Sequence, residues 1–227
     1  MRIKSLLIGD IRFQFKYGFY FLYLVFTILY ICLLYVLPAR WREQGAVLMV
    51  FTDPAAMGLF FMGAIVLFEK GERVLDSIAI SPVKSMEYVI SKLVSIGLIS
   101  TIVGLLIGLG GGVISNPLLF AAGVFFGSCL FSAVGLMVAA NIRTLNQFIV
   151  ATIPAEIIIN LPAIAWLFGW KPRWLIAHPG VCIMELCQNG KWALLAFPIL
   201  IFWTILSVLL AQHVMSKSLR SLGGVKL

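Results

Sequence analysis

Chemistry needs ionisable or nucleophilic side chains held near one another, and this chain has few: nine acids, two histidines and four cysteines in 227 residues. Glu156 falls deep inside an apolar run, with Thr152 and Asn160 one helical turn to either side. Ionisable groups inside a membrane are costly and face a cavity or a partner. The Thr152–Glu156–Asn160 stripe therefore reads two ways. It is a binding site or gate for a cationic or zwitterionic amphiphile, or it is hydrogen-bonded glue between helices or protomers. Pro154 and Pro162 bracket it and should bend the helix. Phe19, Tyr23, Phe26 and Tyr30 recur at helical spacing and either line a hydrophobic path or pack against lipid and protein.

Other chemistry is missing. Cys32, Cys129, Cys182 and Cys187 lack zinc-ligand spacing, and Cys182 and Cys187 fall on different faces of a helix. His178 and His213 have no second ligand nearby in sequence. Paired acids or a Ser/His pair at depth, which an intramembrane enzyme needs, do not occur. A phosphate cradle requires G-x-x-x-x-G-K-[ST] in a loop opening a helix. The glycine cluster at 108–112 has no lysine and ends an apolar run. Nucleotide must therefore be handled by another polypeptide, if it is used at all.

The elements that position these residues follow from composition. The chain is 62% hydrophobic and 11% charged, with mean hydropathy +1.07, against about 25% charged residues in soluble domains. Lipid is its ordinary solvent. Each crossing takes about 20 apolar residues, so six fill the length as a single all-α domain over 1–227. The spans fall at 18–38, 46–68, 93–112, 118–140, 148–168 and 192–212. Thr52-Asp53-Pro54 interrupts the second, with Asp53 as an N-cap and Pro54 at the first helical position. Residues 1–16 read as a basic interfacial helix. Arg40 to Glu43 form a charged loop, and 169–191 a re-entrant or interfacial hairpin. The N-terminus has no signal-peptide cleavage site. The net charge of +8 is scattered between apolar runs, as topology determinants are, which argues against nucleic acid. Placing both termini inside puts twelve of the 17 basic residues in the cytoplasm. Arg143 then serves as a topology charge or touches a cytoplasmic partner.

The longest polar interval runs from Glu69 to Lys92. Val74, Leu75, Ile78 and Ala79 make one apolar face on a two-turn helix, with Glu72, Arg73, Asp76 and Ser77 off it. Ser81 should cap the next helix, with Pro82 at its first position. A short amphipathic helix outside the bilayer needs a cover for its apolar face, either headgroups or a docked protein.

Glu69-x-Gly71-Glu72-Arg73-x-Leu75-Asp76, then Ser81-Pro82-Val83, then Glu87-Tyr88-x-x-Ser91-Lys92 resembles the loop between the second and third spans of ABC-2-type exporter permeases. Lys16-Tyr17-Gly18-Phe19-Tyr20, Leu37-Pro38 and Phe51-Thr52-Asp53-Pro54-Ala55 are similar to permeases of the fluoroquinolone-export family. The resemblance covers the pattern of residues 1–95 and, beyond them, only the span count and the hairpin. It implies a permease without a catalytic site of its own, paired with a second permease of the same or a sister chain. Two copies of a separate ATPase subunit would bind ATP and Mg. It implies that Glu69, Gly71, Glu72, Arg73, Leu75, Asp76, Ile78, Ser81, Pro82, Glu87 and Lys92 belong to the coupling segment that seats in that ATPase. Thr152, Glu156, Asn160, Phe19, Tyr23 and Phe26 are the candidates for a substrate path or gate. The cargo would be an amphipathic drug, lipid or peptide exported through the inner (plasma) membrane. An ion-coupled secondary transporter or channel centred on Glu156 is the rival.

Overall fold

In lipid, a lone segment satisfies its backbone N–H and C=O groups only as a helix. The computed structural model describes residues 2–52 and 57–222, which are helical almost throughout, with no strand among them. The helices are α1 (Arg2–Lys16), α2 (Phe19–Val36), α3 (Ala39–Val50), α4 (Met57–Gly71), α5 (Val74–Ala79) and α6 (Ser85–Gly111). They continue as α7 (Pro117–Asn141), α8 (Leu145–Leu167), α9 (Pro179–Gln188) and α10 (Ala193–Leu222). A short 3-10 turn, Arg173–Ala177, precedes α9. Gly18, at φ 77°, turns the chain between α1 and α2 in a conformation that suits glycine.

Five helices among the described residues are long and apolar enough to cross a membrane: α2, α6, α7, α8 and α10. The second expected span is instead two shorter helices, α3 and α4. Arg40 to Glu43 are not a loop but the first turns of α3. There Arg42 Nε donates to the Leu34 carbonyl (3.1 Å), satisfying an orphan acceptor at the end of α2. Asp53 and Pro54 lie outside the described residues. At 12 and 15 residues, α3 and α4 together extend about 40 Å, enough for one broken crossing.

α7 is the central helix, packed against α4, α6, α9 and α10. Its small residues allow this. A Cβ on Gly135 would stand 2.2 Å from the Leu59 carbonyl oxygen of α4, and one on Gly127 2.8 Å from Ile183 of α9. Close backbone approach of this kind drives helix association in lipid. Of the two readings of the segment before α10, re-entrant or interfacial, burial of its helix fits the re-entrant one. Pro179 to Cys187 are all buried, among α7, α8 and α10. Buried Glu185 accepts from Trp166 Nε1 (2.9 Å) and from the Trp192 backbone N–H (3.1 Å), pinning both ends of this insertion.

Candidate functional site

α5 differs from expectation in which face it shows. Its apolar face is covered, but by the chain itself: Leu75 is buried, Ile78 and Ala79 are half-buried, and the helix packs on α4 and α10. Glu72, Arg73, Asp76, Ser77 and Ile80 are exposed, Ile80 at 84%. Arg73 begins α5 in the left-handed region at φ 57°, and Gly71 stands exposed two residues before it. Ser81 does not cap α6. Its Oγ donates to the Ile78 carbonyl (2.7 Å) and accepts from the Val83 N–H (3.3 Å), closing a turn that includes Pro82. α6 begins four residues later, where Glu87 accepts from the Lys84 backbone N–H (2.9 Å), as a third-residue acid does in a capping box.

Glu69 and Lys92, expected on the coupling surface, are instead inside the protein. Lys92 is 1% exposed and forms ion pairs with Asp10 (2.6 Å) and with Glu69. Tyr88 OH donates to the second oxygen of Glu69 (2.6 Å), and Ser91 Oγ to the second oxygen of Asp10 (2.7 Å). One turn further, Gln14 Nε2 donates to Ser95 Oγ (2.7 Å). The ammonium also lies 5.3 Å from the Tyr88 ring centre and 5.7 Å from that of Phe13. Every carboxylate oxygen has a donor, as a buried ion cluster requires.

The cluster joins α1, α4 and α6 at the two roots of the α5 segment. Outside it, Tyr17 OH donates to Glu72 Oε1 at the surface, and this hydrogen bond raises the phenol's pKa above its ordinary value. Lys70, the neighbour of Glu69, points to the other side. Its ammonium donates to the carbonyls of Ala139 (2.7 Å), Ala140 (2.7 Å) and Ile142 (2.9 Å) at the end of α7. Adjacent residues of α4 thus bind the helices on either side of the α5 segment.

Asp10, Gln14 and Tyr88 were not among the expected site residues. Two signals mark them in the sequence. Asp10 is the sole acid of α1, and Tyr88, Ser91, Lys92 and Ser95 recur at i, i+3, i+4 and i+7, a polar stripe at helical period.

The expected substrate-path residues divide. Phe19 lines an apolar groove of about 410 Å³ walled by α2 and α8 and floored by Phe60, Phe61 and Ala64 of α4. Tyr23 is buried, edge-on to Phe61 (4.7 Å) and hydrogen-bonded to Ser100 (3.2 Å). Phe26 stacks on Tyr30 (6.2 Å) away from the groove. The groove reaches α8 at Leu145, Phe148 and Ile149 and stops one turn short of Thr152. Thr152 is buried and bonds the Ile149 carbonyl (2.9 Å), and Glu156 is half-buried. Asn160 holds its side-chain oxygen buried with no hydrogen-bond partner. The polar stripe and the aromatic groove are therefore separate features of α8.

Five helices long and apolar enough to cross a membrane, with many large apolar side chains on the outer surface of the described residues, mark a multi-pass membrane protein. The sequence pattern of the fluoroquinolones export permease protein family matches residues 1–218, and the chain belongs to that family. It is similar to two proteins called fluoroquinolones export permease protein, from Mycobacterium tuberculosis strains CDC 1551 / Oshkosh and H37Rv. Each is 24% identical over 195 residues, covering 72% of this chain and 82% of the relative.

Proposed function

We propose that the chain is the transmembrane subunit of an ATP-driven exporter. Two permease chains, identical or sister, assemble with two copies of a separate ATPase subunit that binds ATP and Mg. The complex sits in the inner (plasma) membrane with α1, α5 and the C-terminus in the cytoplasm. It moves an amphipathic compound, a fluoroquinolone or a molecule like one, from the cytoplasm or inner leaflet to the outside. The groove between α2 and α8 gives the apolar part of such a compound a place to lodge from the inner leaflet; about 410 Å³ falls in the range of drug sites.

The observation that carries this function is the mounting of α5. Its polar face is exposed, its apolar face is packed on α4 and α10, and both of its roots are held by buried contacts. A load applied to the exposed face by a closing ATPase passes to α1, α4, α6 and α10 together. Such a lever needs a pusher, and the chain has no phosphate-binding loop.

A photo-cross-linking amino acid at Ile80 or Ser77, in native membranes, tests this. The expected result is a cross-link to a nucleotide-binding polypeptide, with ATP-dependent drug uptake by inverted vesicles. If no such polypeptide is captured, and uptake runs on an ion gradient and is abolished by Glu156→Gln, the ion-coupled alternative replaces it.

A further inference from the structure

At the face of the molecule where α5 lies, the ends of α4, α7 and α10 enclose a cleft of about 680 Å³. Four of its lining residues are basic: Lys70, Arg143, His213 and Lys217; one is acidic, Asp76. Lys70 is engaged by the α7 carbonyls. Among the described residues the only salt bridges are those of Lys92, so Arg143 and Lys217 face the cleft without a carboxylate partner. The one carboxylate of the cleft, Asp76, offsets only part of its positive charge.

The depth of the cleft is set by helix length. His213 lies about 30 Å along α10 from its start, one hydrocarbon thickness, so the cleft is level with the headgroups. A second, open cavity of about 560 Å³ shares Ile142 with it and runs along α8 past Asn146, Gln147, Val150 and Ala151, its accessible wall mostly apolar. Val150 and Ala151 are exposed on the outer side of α8. A cationic cleft at headgroup depth thus opens into an apolar trough on the lipid-facing side of a helix.

We propose that the two cavities together hold one anionic phospholipid of the leaflet in which α5 lies. Its phosphodiester is taken by Arg143 and Lys217, and an acyl chain lies in the α8 trough. Arg143 presents a planar fork of N–H donors suited to a phosphate, and Lys217 adds a point charge. Leu75 and Asp76 of α5 line the same cleft, so the bound lipid touches the lever as well as α7 and α10. Asp76 disfavours a second anion and restricts the cleft to a single headgroup.

The full-length protein, delipidated in neutral detergent, is titrated by native mass spectrometry with phosphatidylglycerol or phosphatidylcholine of matched chains. The expected result is one phosphatidylglycerol held at least tenfold more tightly than phosphatidylcholine. Arg143→Gln/Lys217→Gln should lose about tenfold in that affinity, whereas Arg40→Gln/Arg173→Gln should leave it unchanged. Val150→Trp, which fills the trough but leaves the charges, should weaken the lipid and spare the weak binding of glycerol 3-phosphate. Equal retention of the two lipids, or an Arg143/Lys217 variant indistinguishable from wild type, overturns the proposal. So does displacement of the lipid by a fluoroquinolone carboxylate, which makes the cavity a drug site. Loss of the ATPase subunit from the Arg143/Lys217 variant with lipid binding intact would give these cations to a protein partner instead.

Discussion

Lys92→Met is the most informative single perturbation of this fold. It removes the one ammonium from between Asp10 and Glu69 and keeps the length of the side chain. The lysine is 1% exposed, and its two partners come from different helices. Removing one member of a buried ion pair costs about 3–5 kcal/mol, because the charge left behind is desolvated and unpaired. Here two like charges are left facing each other, so the upper half of that range applies. At about 2–4 °C per kcal/mol for a chain of this size, the unfolding midpoint in detergent falls by about 8–20 °C. Replacing all three members, Asp10→Asn/Glu69→Gln/Lys92→Met, removes the charges together and should recover most of that loss. Tryptophan-fluorescence melts of the two variants give the difference directly. The assembled triple variant should still hydrolyse ATP yet export drug poorly, since α1 is then no longer fixed electrostatically to α4 and α6. A loss below about 1 kcal/mol for Lys92→Met, the value of an exposed pair, would show that water reaches the cluster. Full transport by the triple variant would show that the cluster holds the fold and transmits nothing.

Leu75→Ala empties a buried position under α5 and should cost about 2–5 kcal/mol, whereas Ile80→Ala should leave the melting temperature within about 2 °C and weaken ATPase capture in a pull-down. Gly135→Ala sets a methyl against the Leu59 carbonyl oxygen, where backbone cannot yield, so the α4–α7 contact should open at a cost of about 1–3 kcal/mol or more, read as a lower detergent-melting midpoint. Glu185→Ala strands two N–H donors, Trp166 Nε1 and Trp192 N, at about 1–3 kcal/mol each, whereas Glu185→Gln keeps one acceptor oxygen and should cost less in the same melt.

Helix existence was legible from apolar run length alone, because in lipid a lone segment satisfies its backbone only as a helix. Four of the six expected spans match single helices within a few residues at the starts of α2, α7, α8 and α10. The helix expected to open at Ser81-Pro82 and lead into the third span at 93 opens instead at Ser85, and its first two turns are buried at Tyr88, Ser91 and Lys92. Polarity misleads there because it cannot tell a helix end in water from one whose polar stripe is neutralised by another helix. Lys92 belongs to the second kind, and its partner Asp10 is 82 residues away. No local pattern carries that pairing. The division of the second crossing into α3 and α4 was half legible, since Thr52-Asp53-Pro54 advertises an interruption.

α1 and α5 are both short amphipathic helices, and they are mounted in opposite senses. In α1 the face against the protein carries buried Asp10 and Gln14 beside Phe13, and the outward residues include Ile8, Ile11 and Phe15, the last 76% exposed. In α5 the face against the protein is apolar, Leu75 with Ile78, and Glu72, Arg73 and Asp76 are outward. A helix turns outward the groups its solvent accepts. By that rule the outward apolar residues of α1 would meet lipid, with the exposed Lys4, Arg12 and Lys16 toward headgroups, and the outward polar residues of α5 would meet water. In the proposed assembly the membrane surface passes between them, a placement argued from side-chain burial and not from counts of basic residues. The Asp10–Lys92–Glu69 cluster joins α1 on the lipid side to both roots of the α5 segment on the water side. A displacement of α5 therefore reaches α1 without passing through the length of any crossing helix, and cross-linking α1 to α2 across Gly18 should stop transport while leaving the ATPase docked. Transport that continued at the normal rate with α1 so fixed would mean that the motion enters through α10 alone.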